Sequence, residues 1–274
     1  MTNAITEHTV LNNGVKMPWL GLGVWQVGDE EAAEAVAAAI GAGYRSIDTA
    51  AVYGNEAGVG EGIRKSGIAR DELFITTKIW NADQGYDSAL AAFEESRRKL
   101  GVEVVDLLLI HWPVKGKYKE TWRALEKLYR DGAVRAIGVS NFQVHHLQDL
   151  MADSEVVPVI NQVEYHPLLT QKELQSFCRD KGIQLEAWSP LMQGNLDNET
   201  LAEIGRKYGK SPAQIILRWD IQNEVVTIPK TVNPTRMVEN GSVFDFSLTA
   251  EEVDAISALN QNKRFGPDPD NFNF

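Results

Sequence analysis

Val104-Val-Asp-Leu-Leu-Leu-Ile110, then Tyr118–Arg130, then Ala133-Val-Arg-Ala-Ile-Gly-Val139 is the segment from which the fold reads most directly. The outer pieces are apolar runs of strand length. The middle piece carries Trp122, Leu125 and Leu128 at helical spacing, and Arg130-Asp-Gly132 stops it. Apolar strands joined through a helix are the unit of a parallel sheet covered on both faces. The alternation continues in both directions, with eight apolar runs at Leu20–Val24, Tyr44–Ile47, Leu73–Thr77, Val104–Ile110, Ala133–Val139, Val159–Val163, Gln184–Trp188 and Val225–Ile228. Helical patterns over Glu30–Ala42, which opens after Asp29 as a predicted N-cap, Asp87–Leu100 and Gln171–Lys181 fall between them. Eight such units predict an α/β fold closed as a (β/α)₈ TIM barrel. Ahead of them, Thr9-Val-Leu11, Asn12-Asn-Gly14 and Val15–Met17 predict an N-terminal β-hairpin.

The length of 274 residues suits one barrel, and no linker-like or low-complexity stretch divides it, so residues 1–274 are expected to form one domain. An open doubly wound sheet would normally show G-x-G-x-x-G after its first strand. Gly21-Leu-Gly23-Val-Trp25-Gln26 lacks the third glycine, and Gly58-Val-Gly60-Glu-Gly62 does not follow a strand. A net charge of −11 repels phosphate backbones and anionic lipid, which argues against nucleic-acid and membrane partners. Nothing points to an obligate protein partner. The N-terminus MTNAITEHTV has neither a basic nor an apolar leader region, and a cytoplasmic location is expected. Cys178, the only cysteine, reads as an inert, half-buried helix thiol.

A barrel of this kind works at the C-terminal ends of its strands. The runs end, in order, at Trp25, Asp48, Lys78, His111-Trp112, Ser140-Asn141, Gln162 with Glu164, Trp188-Ser189 and Pro229-Lys230. Four residues here make a chemical unit. A carbonyl reduced by hydride transfer needs a proton at its oxygen, and a tyrosine supplies one if its phenol, ordinarily of pKa about 10, is made more acidic. An adjacent ammonium would do this, and a carboxylate would hold the ammonium. Tyr53, Lys78 and Asp48 are those three parts, and His111 could orient the substrate oxygen. Singly, each has a plainer reading: a helix cap, a structural ion pair, a satisfied core histidine. Together on one rim they do not.

Gly43-Tyr-Arg-Ser-Ile-Asp-Thr-Ala50 with Tyr53 and Gly54-Asn-Glu56 resembles the first signature of the aldo-keto reductases. Ala136-Ile-Gly-Val-Ser-Asn-Phe142 resembles the second, and Ile228-Pro-Lys-Thr-Val232 with Arg236, Glu239 and Asn240 the third. The tail Gly266-Pro-Asp-Pro-Asp270 is most similar to the compact bacterial diketogluconate and methylglyoxal/glyoxal reductases. The resemblance implies a tetrad of Asp48, Tyr53, Lys78 and His111 and NADPH as cofactor. It also implies a nicotinamide carboxamide held by Ser140, Asn141 and Gln162, the ring stacked on Trp188, and the pyrophosphate along Ser189, Pro190 and Leu191. Lys230, Thr231, Val232, Arg236, Glu239 and Asn240 complete the implied cofactor set. In the first turn of a helix opened by Asn233-Pro234, a cation opposes the helix dipole, so Arg236 fits an adenosine 2′-phosphate, unless it pairs with Glu239.

Trp25, Trp80 and Trp112, with His111, are expected to wall the substrate cavity, with Gln193 nearby. The loop from Trp112 to Tyr118 and the tail after Leu259 are short, so an open site taking small aldehydes and ketones (dicarbonyls, keto-sugars) is expected. His145, His146 and His8 read as surface residues, His166 as a loop hydrogen-bonder, and no cluster has metal-ligand spacing. Two other functions compete: an aldolase or isomerase with Lys78 as Schiff-base nucleophile, and a nicotinamide-binding regulator. The first leaves Tyr53 and Trp188 without roles, and the second should carry a degraded tetrad.

Overall fold

The computed structural model describes residues 5–274; residues 1–4, part of the stretch read as leaderless, lie outside the described residues. A hairpin of β1 (His8–Val10) and β2 (Lys16–Pro18) precedes eight parallel strands. These are β3 (Leu22–Gly23), β4 (Ser46–Asp48), β5 (Phe74–Ile79), β6 (Val105–Ile110), β7 (Val134–Ser140), β8 (Ile160–Glu164), β9 (Gln184–Trp188) and β10 (Val225–Thr227). Their order in space is their order in sequence. The first and last strands meet through Gly21 N–H to Thr227 O at 3.0 Å and Thr227 N–H to Trp19 O at 3.0 Å, which closes the barrel. All eight predicted runs are strands, with no end moved by more than two residues; the second runs to Asp48 itself.

Two apolar cores result. The outer one packs the strands against the surrounding helices. The inner one gathers the inward-facing Phe74, Leu107, Leu109, Ala136, Ile160 and Val226 and is stoppered by Leu11 and Met17 of the hairpin. The hairpin therefore plugs the N-terminal end of the barrel, which leaves the opposite end for chemistry. Asp106, the charge that interrupts the β6 run, is buried and accepts from Arg70, Arg135 and the Ile75 N–H, so it is paired rather than stranded. Among the described residues, no helix is long and apolar enough to cross a membrane.

Three readings change. The N-cap of α1 (Asp29–Gly41) is Gly28, and Asp29 is already helical. Its carboxylate instead accepts the Gly58 N–H of α2 (Glu56–Ser66) at 2.7 Å. The glycine run 58–62, weak as a nucleotide motif, is a packing device: a Cβ on Gly58 would sit 1.9 Å from Asp29 O, and one on Gly62 2.6 Å from Ala33 O. Only glycine lets the two helices touch backbone to backbone. Cys178, in α6 (Lys172–Asp180), is completely rather than half buried, and burial pushes its thiol up to about 12, which keeps it inert.

Candidate active site

The C-terminal ends of the strands surround a cavity of about 560 Å³. β4 delivers Asp48 at its last position, and the 3₁₀ turn Ala51–Tyr53 then returns Tyr53 over the barrel mouth. The turn ends at Gly54, whose φ of 68° lies in the left-handed region that glycine adopts without strain. Asn55 braces this loop from below, accepting the Thr49 hydroxyl at 2.7 Å and donating to Val24 O and Val27 O at 2.9 Å each. Lys78, on β5, is wholly buried, with its Nζ 2.6 Å from Asp48 Oδ1, 2.9 Å from Thr49 O and 5.2 Å from the centroid of the Tyr53 ring. The His111 ring meets the Tyr53 ring edge-on, with centroids 5.8 Å apart. All four tetrad residues thus come together, and Asp48, Tyr53 and His111 line the cavity.

The electrostatics agree with the expected roles but not with one expected sign. Desolvation pulls the Lys78 ammonium down, yet the Asp48 and Tyr53 charges outweigh it, and Lys78 remains a cation. For Tyr53, burial raises the phenol above its ordinary value, and the Lys78 cation lowers it by less. The net shift is upward, against the expectation of a more acidic phenol; Lys78 limits the rise instead of reversing it. Tyr53 is consequently fully protonated near neutrality, as a donor must be. Burial and the nearby Lys78 charge push His111 well below the usual imidazole range, so it is neutral there. Its Nδ1 is buried without a partner, which leaves Nε2 to face the cavity.

A second chain of hydrogen bonds runs round the rim. Trp188 Nε1 donates to Asn141 Oδ1 at 2.8 Å, Asn141 Nδ2 donates to His111 O at 3.0 Å, and the Ser140 hydroxyl donates to Gln162 O at 2.8 Å. Asn141 and Ser189 hold φ values of 64° and 48° at the ends of β7 and β9, strained positions of the sort that cluster at functional sites. Ser140, Asn141, Gln162, Trp188, Ser189 and Lys230 line the cavity. Pro190, Leu191, Thr231, Val232, Arg236, Glu239 and Asn240 do not; of these, Pro190, Thr231 and Asn240 are buried. Asn233 does cap α9 (Pro234–Gly241), but its Oδ1 accepts the Thr235 and Arg236 N–H groups at 2.9 and 3.2 Å. The helix start is therefore partly satisfied, and an anion there depends on side chains more than on free N–H groups. Among the described residues, Arg236 makes no ion pair with Glu239, and its side chain is exposed.

Trp25, Trp80, Trp112 and Gln193 all line the cavity, but the site is not as open as the short tail suggested. The last residues cross the mouth. Phe274 stacks on Trp80 with planes 5° apart, and Trp112 packs against Phe272 at 5.2 Å and Phe274 at 5.3 Å. Glu164, at the end of β8, anchors this tail by accepting the N–H groups of Phe265 at 2.6 Å and Gly266 at 3.2 Å. His166 joins the anchor through Glu164 Oε1 at 3.0 Å and does not line the cavity. Further along, Asp270 is 2.9 Å from His145 Nε2 and 3.5 Å from His146 Nε2. His146 Nδ1 accepts the Gln143 N–H, so its Nε2 carries the hydrogen and the cluster acts as a tether. Length had suggested an open mouth; aromatic contacts and a buried carboxylate override it.

Gly266 lies against Trp188, where a Cβ would come within 2.3 Å of Cη2 and 3.0 Å of Cζ3. Gly266→Ala is expected to cost about 1–3 kcal/mol of stability through overpacking and to shift Trp188. A lowered Tm with altered tryptophan emission is the expected result, and an unchanged Tm would refute the contact.

An aromatic-walled barrel mouth with a buried ammonium–carboxylate pair beneath a tyrosine is the site of an oxidoreductase acting on carbonyl groups. The chain belongs to the aldo/keto reductase family, whose family profile matches residues 19–261. It is 60% identical over 276 residues to glyoxal reductase of Bacillus subtilis (strain 168), covering 100% of both chains. It is 47% identical over 267 residues to methylglyoxal reductase DkgA of Escherichia coli (strain K12), covering 96% of each. A mutant of Gox0644 crystallised in complex with NADPH is similar at a TM-score of 0.94 and 45% identity, covering 98% of this chain and 99% of that one.

Proposed function

We propose that this protein is an NADPH-dependent reductase of small aldehydes and ketones, dicarbonyls and keto-sugars among them, with Tyr53 as proton donor. The observation that carries the reading is the wholly buried Lys78–Asp48 pair directly behind the Tyr53 ring, at the base of a cavity walled by tryptophans. The residues present fit a nicotinamide. Both Gln162 Nε2 hydrogens are spent on the carboxyl groups of Asp48 and Glu186, so its carbonyl is free as an acceptor, and Trp188 is a flat face held by Asn141. Ser140, Asn141 and Gln162 would hold the carboxamide, and Trp188 the ring. The cofactor supplies the hydride when bound. Tyr53 gives its phenolic proton to the carbonyl oxygen, Lys78 moderates the cost of the phenolate, and neutral His111 orients that oxygen through Nε2. The aromatic wall limits water.

The Schiff-base alternative needs an exposed, neutral lysine amine. Lys78 is buried, bonded to Asp48 and Thr49, and kept cationic. The tetrad is intact, which also removes the reason to prefer a non-catalytic regulator. The direct test is loss of NADPH absorbance with glyoxal, methylglyoxal, keto-sugars and aromatic aldehydes as substrates; no turnover of any of them would overturn the reading.

Cofactor choice gives a sharper test. Lys230 is exposed at the cavity rim and Arg236 is exposed in the first turn of α9, six residues on, in a chain of net charge −11. A charge-assisted hydrogen bond to the 2′-phosphate contributes roughly 1.5–3 kcal/mol, so Arg236→Ala should weaken NADPH binding by about 10- to 150-fold. NADH, which lacks that phosphate, should bind almost as before. Fluorescence titration of both cofactors checks this, and equal losses would show that Arg236 does not read the phosphate.

A further inference from the structure

Glu186 is a buried charge to which the proposed chemistry gives no task. It sits in the middle of β9 between Leu185 and Ala187, is fully buried, and pairs with no cation among the described residues. Its Oε2 accepts from Gln162 Nε2 at 2.9 Å, and the same nitrogen donates to Asp48 Oδ2 at 2.7 Å. One amide nitrogen has two hydrogens, and both are taken by carboxyl oxygens. A reversed amide would set its carbonyl against the Asp48 carboxylate, which can only accept, so Asp48 fixes which end of the amide carries the hydrogens and Glu186 takes the second of them. Gln162 Oε1 is thereby turned away from both carboxyl groups, on a side chain that lines the cavity. Glu186 Oε1, meanwhile, is buried with no partner. A leucine would fill the same space without that cost, so packing alone does not account for a carboxyl group here.

We propose that Glu186 is a positioning residue for the nicotinamide: it sets the orientation of the Gln162 amide and, through that amide, steadies the second oxygen of Asp48. The proposal rests on the reading of this cavity as a nicotinamide site. Asp48 alone could occupy only one amide hydrogen, because its other oxygen is committed to Lys78. With Glu186 in place, the same amide links the tetrad to the cofactor pocket.

A pH signature accompanies the geometry. Burial first, and then the Asp48 charge, push the Glu186 carboxyl up to about 8, while Gln162 and Lys78 oppose them. Below that pH, Glu186 is an uncharged acid whose carbonyl oxygen accepts from Gln162. Above it, a new negative charge appears among Asp48, Lys78 and Tyr53. That charge raises the Tyr53 phenol further and makes it a poorer donor. Reduction should therefore lose rate as pH rises through this range. Glu186→Gln, which keeps an acceptor but cannot ionise, should move that loss to higher pH.

The test compares the parent, E186Q and E186L with two ligands: NADPH, and 2′-phospho-ADP-ribose, which lacks the nicotinamide. E186L is expected to bind NADPH at least about 10-fold more weakly, the loss of roughly one hydrogen bond, while its affinity for the fragment is unchanged. E186Q should recover most of the NADPH affinity. Equal weakening of both ligands in E186L, or no weakening of either, overturns the proposal. If E186L does not fold, the pH profile of E186Q decides: an alkaline limb superimposed on the parent's overturns it. A parent protein that binds the fragment and NADPH with equal affinity strikes at the nicotinamide reading itself, before any variant is compared.

Discussion

Tyr53→Phe is expected to reduce its carbonyl substrate more slowly by a factor of roughly 10²–10⁴, the usual loss on removing a general acid. The change deletes one oxygen and keeps the ring that packs edge-on to His111 and lies in front of the Lys78 ammonium. Neither the fold nor the cofactor pocket should notice, so NADPH affinity should stay within a few-fold of the parent's. A fall in kcat with an unchanged dissociation constant for NADPH is the combined result to look for. Turnover close to the parent's would mean that another group, with His111 the nearest candidate, supplies the proton. The direction of the Tyr53 shift adds a condition. Because burial holds the phenol above its ordinary value, the parent should keep its donor protonated throughout the neutral range.

Lys78→Met should be damaging in two separable ways. Activity should fall on the order of 10²-fold or more, because the charge that eases phenolate formation is gone. Stability should fall by about 3–5 kcal/mol, the usual cost of leaving one partner of a buried pair uncompensated. Asp48 would then be a buried carboxylate keeping only the Gln162 N–H. The two effects part in the double variant Asp48→Asn/Lys78→Met, which removes the stranded charge. Its Tm should recover toward the parent's while its activity stays low. If the single variant is folded and active, Lys78 does not act on Tyr53. If the double variant is no more stable than the single one, the stranded charge is not the source of the instability.

Much of this protein is legible along the chain because barrel strands are local objects. A run such as Val104–Ile110 is apolar at nearly every position because both faces are buried, and its last residue marks a known end of the barrel. The polar residues at the ends of these runs therefore put Asp48, Lys78, His111 and Gln162 at one rim, and the structure brings them together. Other features carried a signal that local pattern leaves ambiguous. Glu186 is a carboxyl group inside an apolar strand, which is unusual enough to flag, but its link to Gln162 needs the register of β8 against β9. The glycine run 58–62 could be set aside as a nucleotide loop because it follows no strand, but spacing alone did not say that another helix fills the space.

Residue order and polarity by themselves determined the eight parallel strands, the working end of the barrel and the candidate reacting groups at it. The tertiary structure decided what depends on distance and burial between residues far apart in the chain. It carries the tail from Phe265 to Phe274 across the cavity and ties it to Glu164, about a hundred residues earlier, so a short tail still makes a wall. It also sets the direction of the Tyr53 shift, because desolvation depends on everything packed around the phenol, whereas the opposing effect of Lys78 could be anticipated from a single neighbour.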